Sequence, residues 1–381
     1  MTTSDTLHEP AYDVPTRVVF GEGTVERAGE LVREHGSRAL VVTGRTAARR
    51  HGHLDRVLAS LAAAGVGATV YDRVSANPRS DEVDEAAALA RADGTDVVVG
   101  LGGGSALDAA KAVAVAVALE GSVREVIGVT LDPAAPVLPL VAVPTTAGSG
   151  SEVTKGAIVT DTVRRFRSGI RGEALFPRVA VVDPGLLASV PPEVLAETAF
   201  DAFAHAVEGS VAVAATPASR DLARQAIGLI TAHLPAALAG ATDPAHRSAL
   251  ARAALLGGVN VATASTCLPH RLQQAMGSLP GLGISHGRGL AVLYPAWLRH
   301  TESLAPEPFG ELADVLGTDS VHEGVERLRE AAGLTARLRD WGVTEADLDT
   351  LVAGVSGNLG NDPAGATADP AYLRTLYAEA L

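Results

Sequence analysis

The sequence predicts an α/β domain built on a parallel sheet, followed by an all-helical domain. In the first half, short β-branched runs alternate with segments of helical spacing, as in sheets covered by helices on both faces. Beyond Asp183-Pro184 the chain turns rich in Ala and Leu and offers no convincing strand.

The candidate strands are Arg17–Phe20, Ala39–Thr43, Ala68–Tyr71, Asp96–Leu101, Pro139–Val143 and Val179–Val182. Helical patterns between them cover Thr24–His35, Asp81–Arg91 and Ala106–Leu119. Gly36 is expected to close the first as a left-handed C-cap. Ser80 is expected to cap the second, with Asp81 and Glu82 favouring its first turn. Pro191-Pro192 then opens the helical region. There Pro192–Val213, Ala218–Ala239 and Ala245–Ala264 have the length and apolar spacing of buried helices. The division falls near residue 187, giving domains 1–187 and 188–381 that pack directly around a cleft.

At 381 residues and a formal charge of −13, the chain has no basic run interleaved with aromatics, so a nucleic-acid partner is not expected. Its single cysteine, Cys267, excludes an internal disulfide framework and reads as a buried structural thiol. No apolar run approaches the roughly 18 residues of a membrane span, and MTTSDTLHEP does not read as a secretory segment. The expectation is a soluble cytoplasmic protein with no membrane partner.

Three stretches carry chemistry. The strand DVVVGL runs into Gly102, Gly103, Gly104 and Ser105, and a helix follows. Glycines at such a turn let backbone N–H groups approach a pyrophosphate at the helix N-terminus. PTTAGSGSEVT follows another strand and offers hydroxyls at Thr145, Thr146, Ser149 and Ser151, suited to phosphate or nicotinamide contacts. FDAFAHAVE places Asp201 and His205 on one helical face. With His270 in LPHRLQQAMG and His286 in SHGRGLAVLYP, one carboxylate and three imidazoles suit Fe²⁺ or Zn²⁺. Asp108, in the first turn after the glycine loop, is explained by helix-terminal electrostatics alone.

Taken together, these loops, DAFAHAVE, the HRL segment and the HG(x)GLAVLYP pattern resemble the iron-containing (group III) alcohol dehydrogenase family of the dehydroquinate synthase-like superfamily. FGEG, Asn77-Pro78, VVDP and RLRDWGV extend the resemblance over almost the whole chain. It implies a dinucleotide-binding domain, a helical metal domain and hydride transfer in the cleft between them. It also implies Asp201, His205, His270 and His286 as metal ligands, and a homo-oligomer.

The sequence departs from the family pattern in three places. Gln274 stands where many members carry a second histidine, and an amide cannot shuttle protons near neutral pH. The stretch from Gly277 to His286 is longer than usual, which changes a cleft wall. Gly44 replaces a ribose-binding aspartate frequent in NAD-preferring relatives, and Arg45 could pair with a 2′-phosphate, so NADP is favoured over NAD. Arg167 occupies the place of a cofactor-contacting lysine.

The expected activity is therefore a metal-dependent, NAD(P)-linked alcohol or carbonyl oxidoreductase. Alternatives are a maleylacetate-type reductase, suggested by the HRL segment, or a dehydrogenase of a specialised hydroxy acid, phosphonate or ribosomal-peptide side chain. A dehydroquinate synthase-like lyase is disfavoured, because Asp201–His286 contains no lysine for a phosphorylated substrate.

Overall fold

The structure is a computed structural model that describes residues 13–240, 242–279, 281–365 and 368–381. The N-terminal stretch read above as non-secretory lies outside the described residues. Six strands form one sheet: β1 (Arg17–Phe20), β2 (Arg38–Gly44), β3 (Gly67–Val74), β4 (Val97–Gly102), β5 (Leu140–Pro144) and, after a hairpin of β6 (Gly156–Asp161) and β7 (Phe166–Arg171), β8 (Val179–Val182). The order is β1-β8-β5-β4-β2-β3, with every neighbour parallel.

A strand reads as a continuous apolar run when both of its faces are covered. β4 is such a strand: Val98 enters the core on one face with Leu40 and Val113, while Val97 and Val99 enter the other with Leu31 and Leu54. The register sets the functional edge. Thr43 lies opposite Leu101, and Gly102 lies opposite Pro144, so the loops after β2, β4 and β5 emerge side by side. Ligands of open α/β sheets bind at this carboxyl edge.

After β8 the described residues form helices and no strand. Long helices cover Pro192–Val211, Pro217–Leu238 and Pro244–Ala264; a short helix, Leu268–Ala275, and another long one, His286–Thr301, follow. Their shared core is built on Phe200, Phe203, Tyr294 and Trp297.

The structure corrects four local expectations. β6 and β7 form an antiparallel hairpin where the sequence reading had no strand, because its outward face carries Arg167, Gly169 and Arg171 and breaks the apolar signal. Thr24–His35 splits into a 3₁₀ turn, Thr24–Arg27, and a helix, Ala28–Arg33. Gly36 is not left-handed; it is small because an added Cβ would lie 2.7 Å from Val97 Cγ1. Ser80 does not cap its helix but is its first residue, and its hydroxyl lies 3.2 Å from Thr162 Oγ1.

Candidate metal and cofactor site

Asp201 and His205 sit one turn apart on the helix Pro192–Val211 and are almost fully buried. His270 comes from the short helix and His286 opens the helix His286–Thr301. Glycines bring these helices together. A Cβ on Gly287 would collide with the Glu197 carbonyl, and one on Gly289 would lie 2.9 Å from Gln273 Cγ. The HGRG spelling is thus a packing requirement around His286.

The Nε2 atoms of His205, His270 and His286 lie 3.5, 3.5 and 3.3 Å from Asp201 Oδ1. Donor atoms of Asp201, His270 and His286 all fall within 4.8 Å of one another, a grouping that leaves His205 out. His205 stacks on His270 with ring centroids 4.7 Å apart. Asp201 Oδ1 and His270 Nε2 are buried without a hydrogen-bond partner. Orphaned buried donors and acceptors are costly, and a divalent cation between them would satisfy both. The residues therefore fit the metal that the donor set implies.

The outward nitrogens are held. His270 Nδ1 lies 2.7 Å from Glu208 Oε1, and His286 Nδ1 donates to Gln273 Oε1. Each bond leaves Nε2 facing Asp201, the usual way in which a ligand's far nitrogen fixes ring orientation. Glu208, fully buried, also accepts from the Cys267 amide at 2.7 Å, and Tyr294 Oη lies 3.1 Å from its Oε1. Neither Glu208 nor Gln273 was singled out in the sequence. Glu208 lies at Asp201 plus seven, on the same helical face, and that spacing could have revealed it.

Burial pushes the Asp201 carboxyl up, but the nearby His205 and His286, and the close approach of His270, outweigh it and hold it well below the usual carboxylate range. Burial lowers His205 to about 4, against the pull of Asp201. Burial also opposes a charge on His270, yet Glu208 and Asp201 raise it to about 9. Near neutral pH, Asp201 and His205 are already in the forms that a cation would require, whereas His270 would have to release a proton to bind one.

Gln274 is partly exposed on the same short helix, and among the described residues it has no side-chain hydrogen-bond partner. Cys267 is buried, its thiol pushed well above the usual range first by burial and then by Glu208.

On the nucleotide side, the helix Gly104–Ala116 starts at the glycine loop. Gly102 has φ +147°, and an added Cβ would lie 2.7 Å from that of Ala106. A Cβ on Gly103 would press on Thr146, and one on Gly104 would lie 2.8 Å from Ser149 Oγ. The two loops thus touch, and the Thr145 amide bonds the Gly102 carbonyl at 3.0 Å. Ser105 Oγ donates to the Ala76 carbonyl. Asp108 does more than stabilise a helix start: it accepts from Ser151 Oγ at 2.7 Å and from the Ile158 amide at 2.9 Å, tying loop and hairpin to the helix. Gly150, in the second loop, abuts Gly258 of the metal half, where a Cβ would lie 2.6 Å from the Gly150 carbonyl oxygen.

Gly44 ends β2, and Arg45 is already engaged. Its Nη2 lies 3.1 Å from Glu82 Oε1 and its Nε donates to the Arg73 carbonyl at 3.2 Å. Arg167 on β7 reaches toward the metal half, its Cδ 3.7 Å from where a Cβ on Gly277 would stand.

Comparison with known proteins gives these features a class. The model of "Iron-containing alcohol dehydrogenase" matches residues 15–184, and that of the "Fe-containing alcohol dehydrogenase family, C-terminal" matches residues 195–370. The chain is 32% identical to the choline dehydrogenase of Bacillus subtilis (strain 168) over 84% of this chain and 80% of that one. It is 31% identical to the sulfoacetaldehyde reductase of Bilophila wadsworthia (strain 3_1_6) over 85% of this chain and 83% of that one. A crystal structure of 1,3-propanediol oxidoreductase superposes with a TM-score of 0.92 at 30% identity, covering 98% of this chain and 100% of that one. The protein is an oxidoreductase of alcohols or carbonyls. It belongs to the iron-containing alcohol dehydrogenase family. Among the described residues no helix is long and apolar enough to cross a membrane.

Proposed function

We propose that Asp201, His205, His270 and His286 hold one divalent cation, iron or zinc, and that a nicotinamide cofactor docks on the glycine loop to exchange hydride with a small alcohol or carbonyl substrate between two domains dividing near residue 187. The observation that carries this reading is the pair of buried, unpartnered atoms, Asp201 Oδ1 and His270 Nε2, facing one another among imidazoles. A cation bound there supplies Lewis acidity, lowering the pKa of an alcohol or polarising a carbonyl. The chain's own residues do the rest. Glu208 and Gln273 fix the imidazoles, and Gly102, Gly103, Gly104, Ser105, Thr145, Thr146 and Ser149 shape the phosphate and nicotinamide seat. Arg167 flanks the seat as a cofactor contact. A bound nicotinamide would supply the hydride acceptor or donor, and in oxidation the substrate's proton would pass to solvent. Gln274, one helical turn after His270, would orient water for that proton, because its amide cannot carry it.

NADP is favoured over NAD. Gly44 places no carboxylate against a 2′-phosphate, and a shallow depression is lined by Arg45, Thr46, Arg49 and Arg50. The Arg45–Glu82 pair opposes this preference, since Arg45 must leave Glu82 to meet a phosphate. The relatives' names span a cation, an anion and a neutral diol, so the family alone assigns no charge to the substrate. The reading extends to a homo-oligomer in the cytoplasm, and a modified peptide remains within the substrate range of an open cleft.

Elemental analysis of the purified protein tests the core of this reading. One iron or zinc per chain, lost in both His270→Ala and His286→Ala, is expected. A chain that stays metal-free after anaerobic reconstitution overturns it and brings forward a metal-independent, maleylacetate-type reductase.

A further inference from the structure

The short helix that carries His270 is entered through a turn at Ser265, whose φ of +62° is a backbone setting that residues with a Cβ rarely adopt. Such a setting persists only where its surroundings enforce it. The enforcing group comes from far along the chain. Asn361 Nδ2 donates to the carbonyls on either side of the turn, Ala264 at 2.9 Å and Thr266 at 3.1 Å. Asn361 also receives the end of the helix Pro192–Val211: its carbonyl accepts from the Val213 amide at 2.9 Å, and its Oδ1 from the Ala214 amide at 3.1 Å. Both amide hydrogens and the amide oxygen are thus engaged by main chain.

Asp362, next in sequence and buried, turns to the short helix itself. Its Oδ2 accepts from the Leu268 amide and from Trp297 Nε1, both at 2.9 Å. Trp297 lies on the helix His286–Thr301, about three turns beyond His286. Glu208 treats the preceding amide in the same way: one oxygen accepts from Cys267 at 2.7 Å, and Tyr294 Oη stands 3.1 Å from the other. Pro269, next along, has no N–H to place. The start of the His270 helix therefore hangs on two buried carboxylates, and each of them also holds an aromatic residue of the His286 helix. A helix of 8 residues cannot hold itself in water, so its place is set by what grips its ends.

We infer that Asn361 and Asp362 are positioning residues of the metal centre: by fixing the turn at Ser265 and the first amide of the helix Leu268–Ala275, they set where His270 Nε2 stands relative to Asp201 and His286. This rests on the metal reading proposed above. The pair acts through main chain and through Trp297, not as ligands, and ligand geometry of this kind tolerates displacements of only about 0.5 Å. The competing role is purely structural, in which the pair holds the C-terminal segment down without bearing on His270.

The test strips the full chain of metal and measures its Zn²⁺ affinity by competition with a graded chelator. Asp362→Ala should weaken Zn²⁺ about 10- to 100-fold, and Asn361→Ala about 10-fold. Asp362→Asn, whose oxygen can still accept from Leu268 and Trp297, should stay within about twofold of wild type. Nuclear magnetic resonance of the metal-free protein, isotope-labelled in histidine, supplies the second readout. The ring resonances of His270, assigned by their absence in His270→Gln, should move in Asp362→Ala and hold their place in Asp362→Asn. A merely structural role would lower the melting temperature and leave those resonances where they are. Folded Asp362→Ala with wild-type Zn²⁺ affinity and unmoved His270 resonances overturns the inference, and so does a loss that Asp362→Asn shares in full. If Asp362→Ala does not fold, Trp297→Phe carries the same test, since it removes one donor and keeps an aromatic ring in the core; a loss of about 5-fold is expected. Failure of the metal reading shows separately. A wild-type chain that takes up no Zn²⁺ removes that reading, and the His270 resonances of the metal-free protein then decide the positioning role alone.

Discussion

The imidazole of His270 and the carboxylate of Glu208 meet at 2.7 Å with both groups buried. Because His270 Nδ1 points at Glu208, its Nε2 faces Asp201 whatever the ring's charge. Glu208→Gln keeps the shape and can still accept from His270, but removes the negative charge. It should weaken metal binding about 10- to 100-fold, measured by competition with a graded chelator, while circular dichroism stays native. Unchanged affinity would reduce Glu208 to a core residue.

Removing a ligand should separate metal loss from unfolding. His286 is the most exposed of the four proposed ligands, its side chain 34% accessible. His286→Ala should lower metal content to near zero while leaving the melting temperature of the metal-free protein within a few degrees of wild type. A variant that retains stoichiometric metal would show that His286 is dispensable.

The buried cluster beneath the glycine-loop helix should set a pH dependence. Burial raises the Glu152 carboxyl from 4.5 to about 7 and lowers the Lys111 ammonium from 10.5 to about 8. A carboxyl that titrates higher in the fold than in the unfolded chain favours folding below about 4.5, and that contribution is lost as pH climbs through 7. Glu152→Gln should therefore gain stability on wild type across that window, by at most roughly 3 kcal/mol. Lys111 has the opposite slope higher up, its cost relieved as pH rises from about 8 toward 10.5. Denaturant unfolding of both proteins at a series of pH values checks this, and parallel curves would contradict it.

Gly104 should tolerate no side chain. A Cβ there lies 2.8 Å from Ser149 Oγ, so Gly104→Val must push the two loops apart. Cofactor affinity should fall about 100-fold, by fluorescence titration of reduced cofactor, with metal content unchanged.

Cofactor choice should be readable at Arg45. Arg45→Ala should raise the KM for NADPH about 10-fold and leave that for NADH within a factor of about two. Equal effects on both would return Arg45 to its Glu82 pair.

Much of this was legible in the sequence because its signals were local. The six parallel strands announced themselves as β-branched runs, and Asp201 and His205 declared a shared helical face by spacing. What escaped depended on distance along the chain. The β6–β7 hairpin hides behind Arg167 and Arg171, whose outward face defeats any search for apolar runs. Gln273 was passed over for its neighbour Gln274, because nothing local shows that His286, thirteen residues on, returns to meet it. Arg45 was read as a partner for a phosphate. Its partner in the structure, Glu82, comes from a helix that the loop cannot foresee.

Gly150 and Gly258 touch backbone to backbone, with no side chain between them. Contacts made by side chains can swap rotamers and slide, whereas two bare peptide segments in contact can only part or stay. At this point the spacing between the loop of residues 144–154 and the helix Pro244–Ala264 is therefore gauged by main chain, like a shim of fixed thickness. The other contact between the halves described above, the long Arg167 stem against Gly277, is of the opposite kind: there length can be taken up or let out.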